Sequence, residues 1–119
     1  MRMVSISFPY TIEGDAHTLD VLATQKRFRS KPLHRVMLSV KPIAECLGLP
    51  WSKHRADILQ WTCSLSSSPE HRGADVHTIV EWIKTLRDAE QVDVELADYF
   101  CEYFEPAVIA ALQAEGLAR

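Results

Sequence analysis

Two features of the sequence predict an α+β fold. The strand-like segments fall within the first 40 residues, and from Pro42 onward apolar residues recur at the three- and four-residue spacing of helices. The chain has 119 residues, 47% of them apolar, which supplies one hydrophobic core and leaves no room for a second. Residues 1–119 are therefore read as a single domain: a small N-terminal antiparallel sheet followed by four helices, with a helix-Gly-helix unit at 42–61.

Val4-Ser5-Ile6-Ser7-Phe8 alternates apolar with polar residues and stops at Pro9, the pattern of a half-buried strand. Two further segments, Leu19 to Ala23 and His34 to Val40, have the β-branched content of strands. The basic segment between them, Lys26-Arg27-Phe28-Arg29-Ser30-Lys31-Pro32, reads as an exposed hairpin arm.

Pro42 suits the first position of a helix that carries Ile43, Ala44, Cys46 and Leu47, and Gly48 stands where that helix would end in the left-handed region. Pro50 opens a second helix over 51–61, with Trp51, Ile58, Leu59 and Trp61 as its apolar side. The Ser-rich stretch from Ser64 to Gly73 is polar and reads as a loop or a clipped hairpin. Thr78-Ile79-Val80-Glu81 has the form of a capping box, and Ile79, Trp82, Ile83 and Leu86 continue a third helix.

Asp93 can cap a fourth helix. Its stripe is Leu96, Tyr99, Phe100, Tyr103, Phe104, Ala107, Ala111 and Leu112, and it runs out before Gly116. Pro106 lies inside this helix, where proline costs about 3 kcal/mol, so a kink or restart is expected near Glu105. The aromatic surplus of Tyr99, Phe100, Tyr103 and Phe104 favours a homodimer over a monomer.

No apolar run approaches the roughly 18 residues of a membrane span, and the N-terminus lacks a signal-peptide core, so the expected location is the cytoplasm. Cys46, Cys63 and Cys101 are widely spaced and odd in number, which suits buried thiols rather than a disulfide framework. His17, His34, His54, His71 and His77 are scattered, with no two at metal-ligand spacing on a helix. Phosphate-loop, dinucleotide, nucleophile-elbow, HExxH and paired CxxC motifs are missing. A non-enzymatic protein without metal or organic cofactor is the expectation. Trp51, Trp61 and Trp82 fall in apolar helical patterns and are assigned to the core.

The net charge of −3 conceals an asymmetry: residues 1–55 hold nine Lys/Arg against four acids, and residues 56–119 hold four against twelve. Such polarity marks either a nucleic-acid face or two complementary halves of one fold. Residues 42–61 are compatible with a helix-turn-helix, which would place Lys53, His54 and Arg55 in the first turns of a recognition helix, at base edges or phosphates. The alternative is an ordinary solvated basic face. Lys26, Arg27, Arg29 and Lys31, with Phe28 among them, either follow a phosphate backbone or form a soluble hairpin. Glu95, Asp98, Glu102 and Glu105 share one helical face, which is either merely solvated or a docking surface for a basic partner.

The segment Val36-Met37-Leu38-Ser39-Val40-Lys41-Pro42-Ile43-Ala44-Glu45-Cys46-Leu47-Gly48-Leu49-Pro50-Trp51-Ser52-Lys53-His54-Arg55 and on to Leu59 resembles the core of the temperate-phage antirepressor N-terminal domain family, a Bro-N-like group. Trp82-Ile83, Cys101 and Tyr103 extend the resemblance into the C-terminal half, so it covers most of the chain after Arg35. Family members carry a longer strand pair between the second and third helices, shortened here to the Ser-rich stretch, and a glutamine is common where His54 stands. The resemblance implies a phage or prophage regulatory protein acting on DNA or on a repressor. A second expectation is a phage-encoded inhibitor of a host defence complex, of the anti-CRISPR kind, binding a protein through the acidic face.

Overall fold

The computed structural model describes residues 2–8, 17–27, 34–65 and 71–116. The order of elements is β1 (Arg2–Phe8), β2 (His17–Arg27), β3 (His34–Ser39), α1 (Lys41–Cys46), α2 (Trp51–Trp61), β4 (Cys63–Ser64), β5 (Arg72–Ala74), α3 (Val76–Asp88) and α4 (Val94–Ala114). The sheet is antiparallel throughout, with strand order β1-β2-β3-β5-β4. The α+β class and its four helices follow the sequence pattern.

Alternation places the core. Val4 and Ile6 of β1 and Leu19, Val21 and Ala23 of β2 are buried, whereas Met3, Ser5, Ser7, Thr18 and Asp20 face outward. On that outer face the cross-strand partners Ser5 and Asp20 are joined by a 2.6 Å hydrogen bond from Ser5 Oγ to Asp20 Oδ1. At the end of the β2–β3 ladder the backbone amide of Leu22 donates to Ser39 Oγ at 2.9 Å, so a side chain stands in for a carbonyl. α4 crosses β1, α1 lies against β2, and α3 packs on α4; one cluster of buried apolar residues joins all of them.

At the two ends of the Ser-rich stretch β4 pairs antiparallel with β5, and β5 joins β4 to β3; residues 66–70 lie outside the described residues. Gly73 is required at the junction, because a Cβ there would lie 2.8 Å from the Leu38 carbonyl oxygen and 2.7 Å from Leu65 Cδ1.

α1 ends as its sequence predicts. The amides of Gly48 and Leu49 reach the carbonyls of Glu45 and Ala44 at 3.0 and 2.9 Å, a Schellman turn, with Gly48 at φ +72°. α3 ends in the same geometry, but on Glu90 at φ +59°.

Three sequence expectations need correction. α3 begins at Val76, capped by Asp75, whose carboxylate accepts from the Thr78 amide at 2.8 Å; Thr78 is inside the helix, not its cap. β2 runs to 11 residues because pairing with β1 and β3 carries its polar positions along. α4 neither stops nor restarts at Pro106. Pro106 and Glu102, whose carbonyl loses its helical donor, are both exposed, and the buried Phe104 and Val108 hold the helix in register on either side of the proline.

Candidate nucleic-acid interface

α2 touches the rest of the protein along a narrow seam. His54 and Ile58 are buried, Trp51 and Trp61 half-buried, and the spacing of three, four and three residues puts all four on one line. At about 100° per residue this seam takes up only about 80° of the helix circumference. Ser52, Lys53, Arg55, Ala56, Asp57, Leu59 and Gln60 are exposed. Leu59, assigned above to the apolar side, is 40% exposed, and His54 takes the inner position instead.

His54 therefore cannot contact DNA as its neighbours could. The residue is 7% exposed, turned inward because position 54 lies three residues after Trp51 and four before Ile58. Lys53 and Arg55, on either side of it, project from the surface, and neither has an acidic partner among the described residues.

Both ends of α2 are anchored. At its start, Lys41 Nζ lies 6.0 Å from the Trp51 ring centroid, a cation over an aromatic face. Pro50 is the N-cap and supplies no side-chain cap, and the first turn has no acidic residue. At its end, Arg72 of β5 donates from Nη2 to the Thr62 carbonyl at 2.6 Å and from Nε to Thr62 Oγ1 at 3.2 Å. Thr62 Oγ1 in turn donates to the Ile58 carbonyl at 2.7 Å. On one flank, Trp82 Nε1 of α3 donates to Asp57 Oδ2 at 3.2 Å, and the Trp61 and Trp82 rings lie 5.0 Å apart. These tryptophans are packing residues, as the sequence pattern implies.

Of the basic arm, Lys26 and Arg27 lie in the last two positions of β2, paired in register with Arg35 and His34. Arg29 and Lys31 lie outside the described residues.

The acidic face is assembled as its spacing predicts. Glu95, Asp98, Glu102 and Glu105 are all exposed on α4, opposite the buried Ala97, Phe100, Phe104, Val108 and Leu112. Asp98 accepts from Arg87 Nη1 at 2.7 Å, and among the described residues it alone of the four has a cation partner. Asp98 first, and then Asp88, raise the Arg87 pKa further above its ordinary value. The aromatic surplus is smaller than the sequence suggests, because Phe100 and Phe104 stack at 4.5 Å inside the core. Tyr99 and Tyr103 remain half-buried, packed on each other at 5.0 Å.

The three cysteines are half-buried and none is disulfide-bonded; burial pushes the Cys46 and Cys101 thiols up and keeps them protonated. Among the described residues no group of three or more His, Cys, Asp or Glu side chains could hold a metal ion, and no helix is long and apolar enough to cross a membrane.

Ser52, Ala56 and Gln60 carry no charge and escaped the sequence reading. The 51/54/58/61 spacing that buries His54 also turns these three outward, and it was visible in the sequence.

Comparison with protein-family models, with curated proteins and with solved structures finds no match to this chain.

Proposed function

We propose that this chain is a non-enzymatic regulatory binding protein of the temperate-phage antirepressor kind, and that it engages duplex DNA through α2. One contrast carries the reading. The described cations of the C-terminal half are engaged within the protein: Arg72 by Thr62, Lys84 by Glu81 at 3.9 Å, and Arg87 by Asp88 and Asp98. Lys53 and Arg55 instead point to solvent from a helix that begins without an acidic cap and follows a tight glycine turn. Phosphate contacts from such positions fix a helix in a groove.

Salt titration of duplex binding tests this. Each phosphate contact gives a slope of about 0.9 in log affinity against log salt, so replacing Lys53 and Arg55 together by Ala should reduce the slope by about two contacts while circular dichroism stays unchanged. An unchanged slope, or no duplex binding at low salt, would refute the proposal.

A second reading has its own observation. Glu95, Glu102 and Glu105 stand exposed without cation partners among the described residues, which suits capture of a basic surface on a repressor or a host defence complex. Charge reversal at Glu95, Asp98, Glu102 and Glu105 would then abolish capture of the partner, and the Lys53/Arg55 pair would matter little.

A further inference from the structure

The exposed surface of α2 is not uniform, and its layout bears on what kind of DNA binder this chain would be. With the seam of Trp51, His54, Ile58 and Trp61 turned inward, the residues on the opposite ridge are Ser52, Lys53, Ala56, Leu59 and Gln60, all exposed. Arg55 sits on one flank, next to Trp51. Asp57, the single acid of α2, sits on the other flank, next to Trp61, where Trp82 Nε1 holds its carboxylate. The ridge itself holds no acid; exposed Asp57 borders it one turn after Lys53, with one carboxylate oxygen accepting from Trp82 Nε1.

The ridge chemistry is that of base edges rather than of phosphates alone. A lysine donates to guanine O6 and N7, a glutamine pairs with adenine N6 and N7, and small apolar groups meet the thymine methyl. Lys53 and Gln60 are seven residues apart, a rise of about 10.5 Å along the helix, or about three base pairs. Ala56 and Leu59 lie between them.

Resting on the DNA reading above, we infer that the outer ridge of α2 reads duplex sequence in the major groove. Lys53 meets a guanine, Gln60 an adenine about three base pairs away, and Ala56 with Leu59 a thymine methyl between them. Arg55, on the flank, holds phosphate and carries no sequence information. Anchored along its inner seam, at its ends and through Asp57 on one flank, α2 leaves the opposite ridge for a groove about 12 Å wide.

The test is selection of bound duplexes from a random pool by the full chain and by three variants, Gln60→Ala, Lys53→Ala and Arg55→Ala, each checked for unchanged thermal unfolding. The wild-type chain should select a short motif. Gln60→Ala should erase the preference at one adenine position, a loss of discrimination of about 5- to 150-fold, and keep its affinity for unselected duplexes. Lys53→Ala should do the same at the guanine position and also lower the salt slope by about one contact, because the ammonium displaces a counterion from the groove it enters. Arg55→Ala should weaken binding on all duplexes alike and leave the motif intact. If the chain binds duplex DNA but selects no motif, or if Gln60→Ala selects the same motif as wild type, the ridge inference is overturned and the DNA reading survives. No duplex binding at low salt overturns both.

Discussion

α2 and α4 are both amphipathic, yet they divide their surfaces in opposite ways. α4 spans 21 residues and places Ala97, Phe100, Phe104, Val108 and Leu112 in the core, leaving an outer face of carboxylates. α2 spans 11 residues, buries His54 and Ile58 between two half-buried tryptophans, and leaves outward a face whose free charges are Lys53 and Arg55. One helix holds the fold together and the other rests on it. A helix fixed along a thin seam is free to present most of its circumference to something else, and that difference, more than the charge totals, marks α2 as the element to test.

The largest effect should come from breaking α4 where it is most committed to the core. Phe104 is fully buried and stacked on Phe100 at 4.5 Å. Phe104→Ala should cost about 3–5 kcal/mol, read as a lower midpoint in chemical denaturation. A loss under about 1 kcal/mol would show that α4 is not the structural member of the pair.

Next in size is the joint that aims α2. Gly48 adopts φ +72°, and a Cβ at that position would meet nothing within 4 Å, so the cost of Gly48→Ala is conformational alone. It should destabilise by about 1–2 kcal/mol, and Gly48→Asn by less, since asparagine tolerates the left-handed region. Equal losses for the two variants in denaturation would argue that packing, not backbone conformation, fixes the turn.

A smaller effect separates the N-termini of the two helices. Asp93 accepts from the Glu95 amide at 3.2 Å to cap α4, while Pro50 gives α2 no side-chain cap. Asp93→Ala should therefore cost about 1 kcal/mol by thermal unfolding. No change on this substitution would mean that the start of α4 is held by its packing alone.

Much of this contrast was legible in the sequence. The stripe and the acidic face of α4, the Gly48 turn and the Asp93 cap follow from local spacing and local chemistry. The inward turn of His54 is hidden when the residue is read with its charged neighbours and follows when it is read by its spacing to Trp51 and Ile58. The S/T-x-x-E pattern puts the cap of α3 on Thr78, whereas the carboxylate that accepts from the Thr78 amide belongs to Asp75, three residues earlier. Other features were beyond local reading. The requirement for Gly73 comes from a carbonyl 35 positions away in sequence, and the length of β2 comes from ladders on both its sides. The continuity of α4 through Pro106 depends on tertiary packing that outweighs a propensity of about 3 kcal/mol.

The smallest expected effect has the opposite sign, and it asks whether the outer face of α4 is kept at some cost to stability. Glu102 lies four residues after Asp98 and three before Glu105, so like charges neighbour it on both sides of one helical face. Each such pair destabilises a helix by about 0.2–0.5 kcal/mol, and a Lys in the same place would turn both contacts into attractive ones. Arg87 already neutralises part of Asp98 at 2.7 Å, which trims the gain on that side. Glu102→Lys should accordingly raise stability by roughly 0.5 kcal/mol at low salt, and the gain should shrink as salt screens these exposed charges. Thermal unfolding at two ionic strengths measures both. A gain that persists at high salt would point to packing rather than charge. No gain at all would show that the four carboxylates sit too far apart, or too well solvated, to repel, and would remove the stability argument for a docking role of that face. A gain in stability together with loss of a bound basic partner would instead assign the protein-binding work to α4, and leave α2 as the thinly attached helix without a groove to enter.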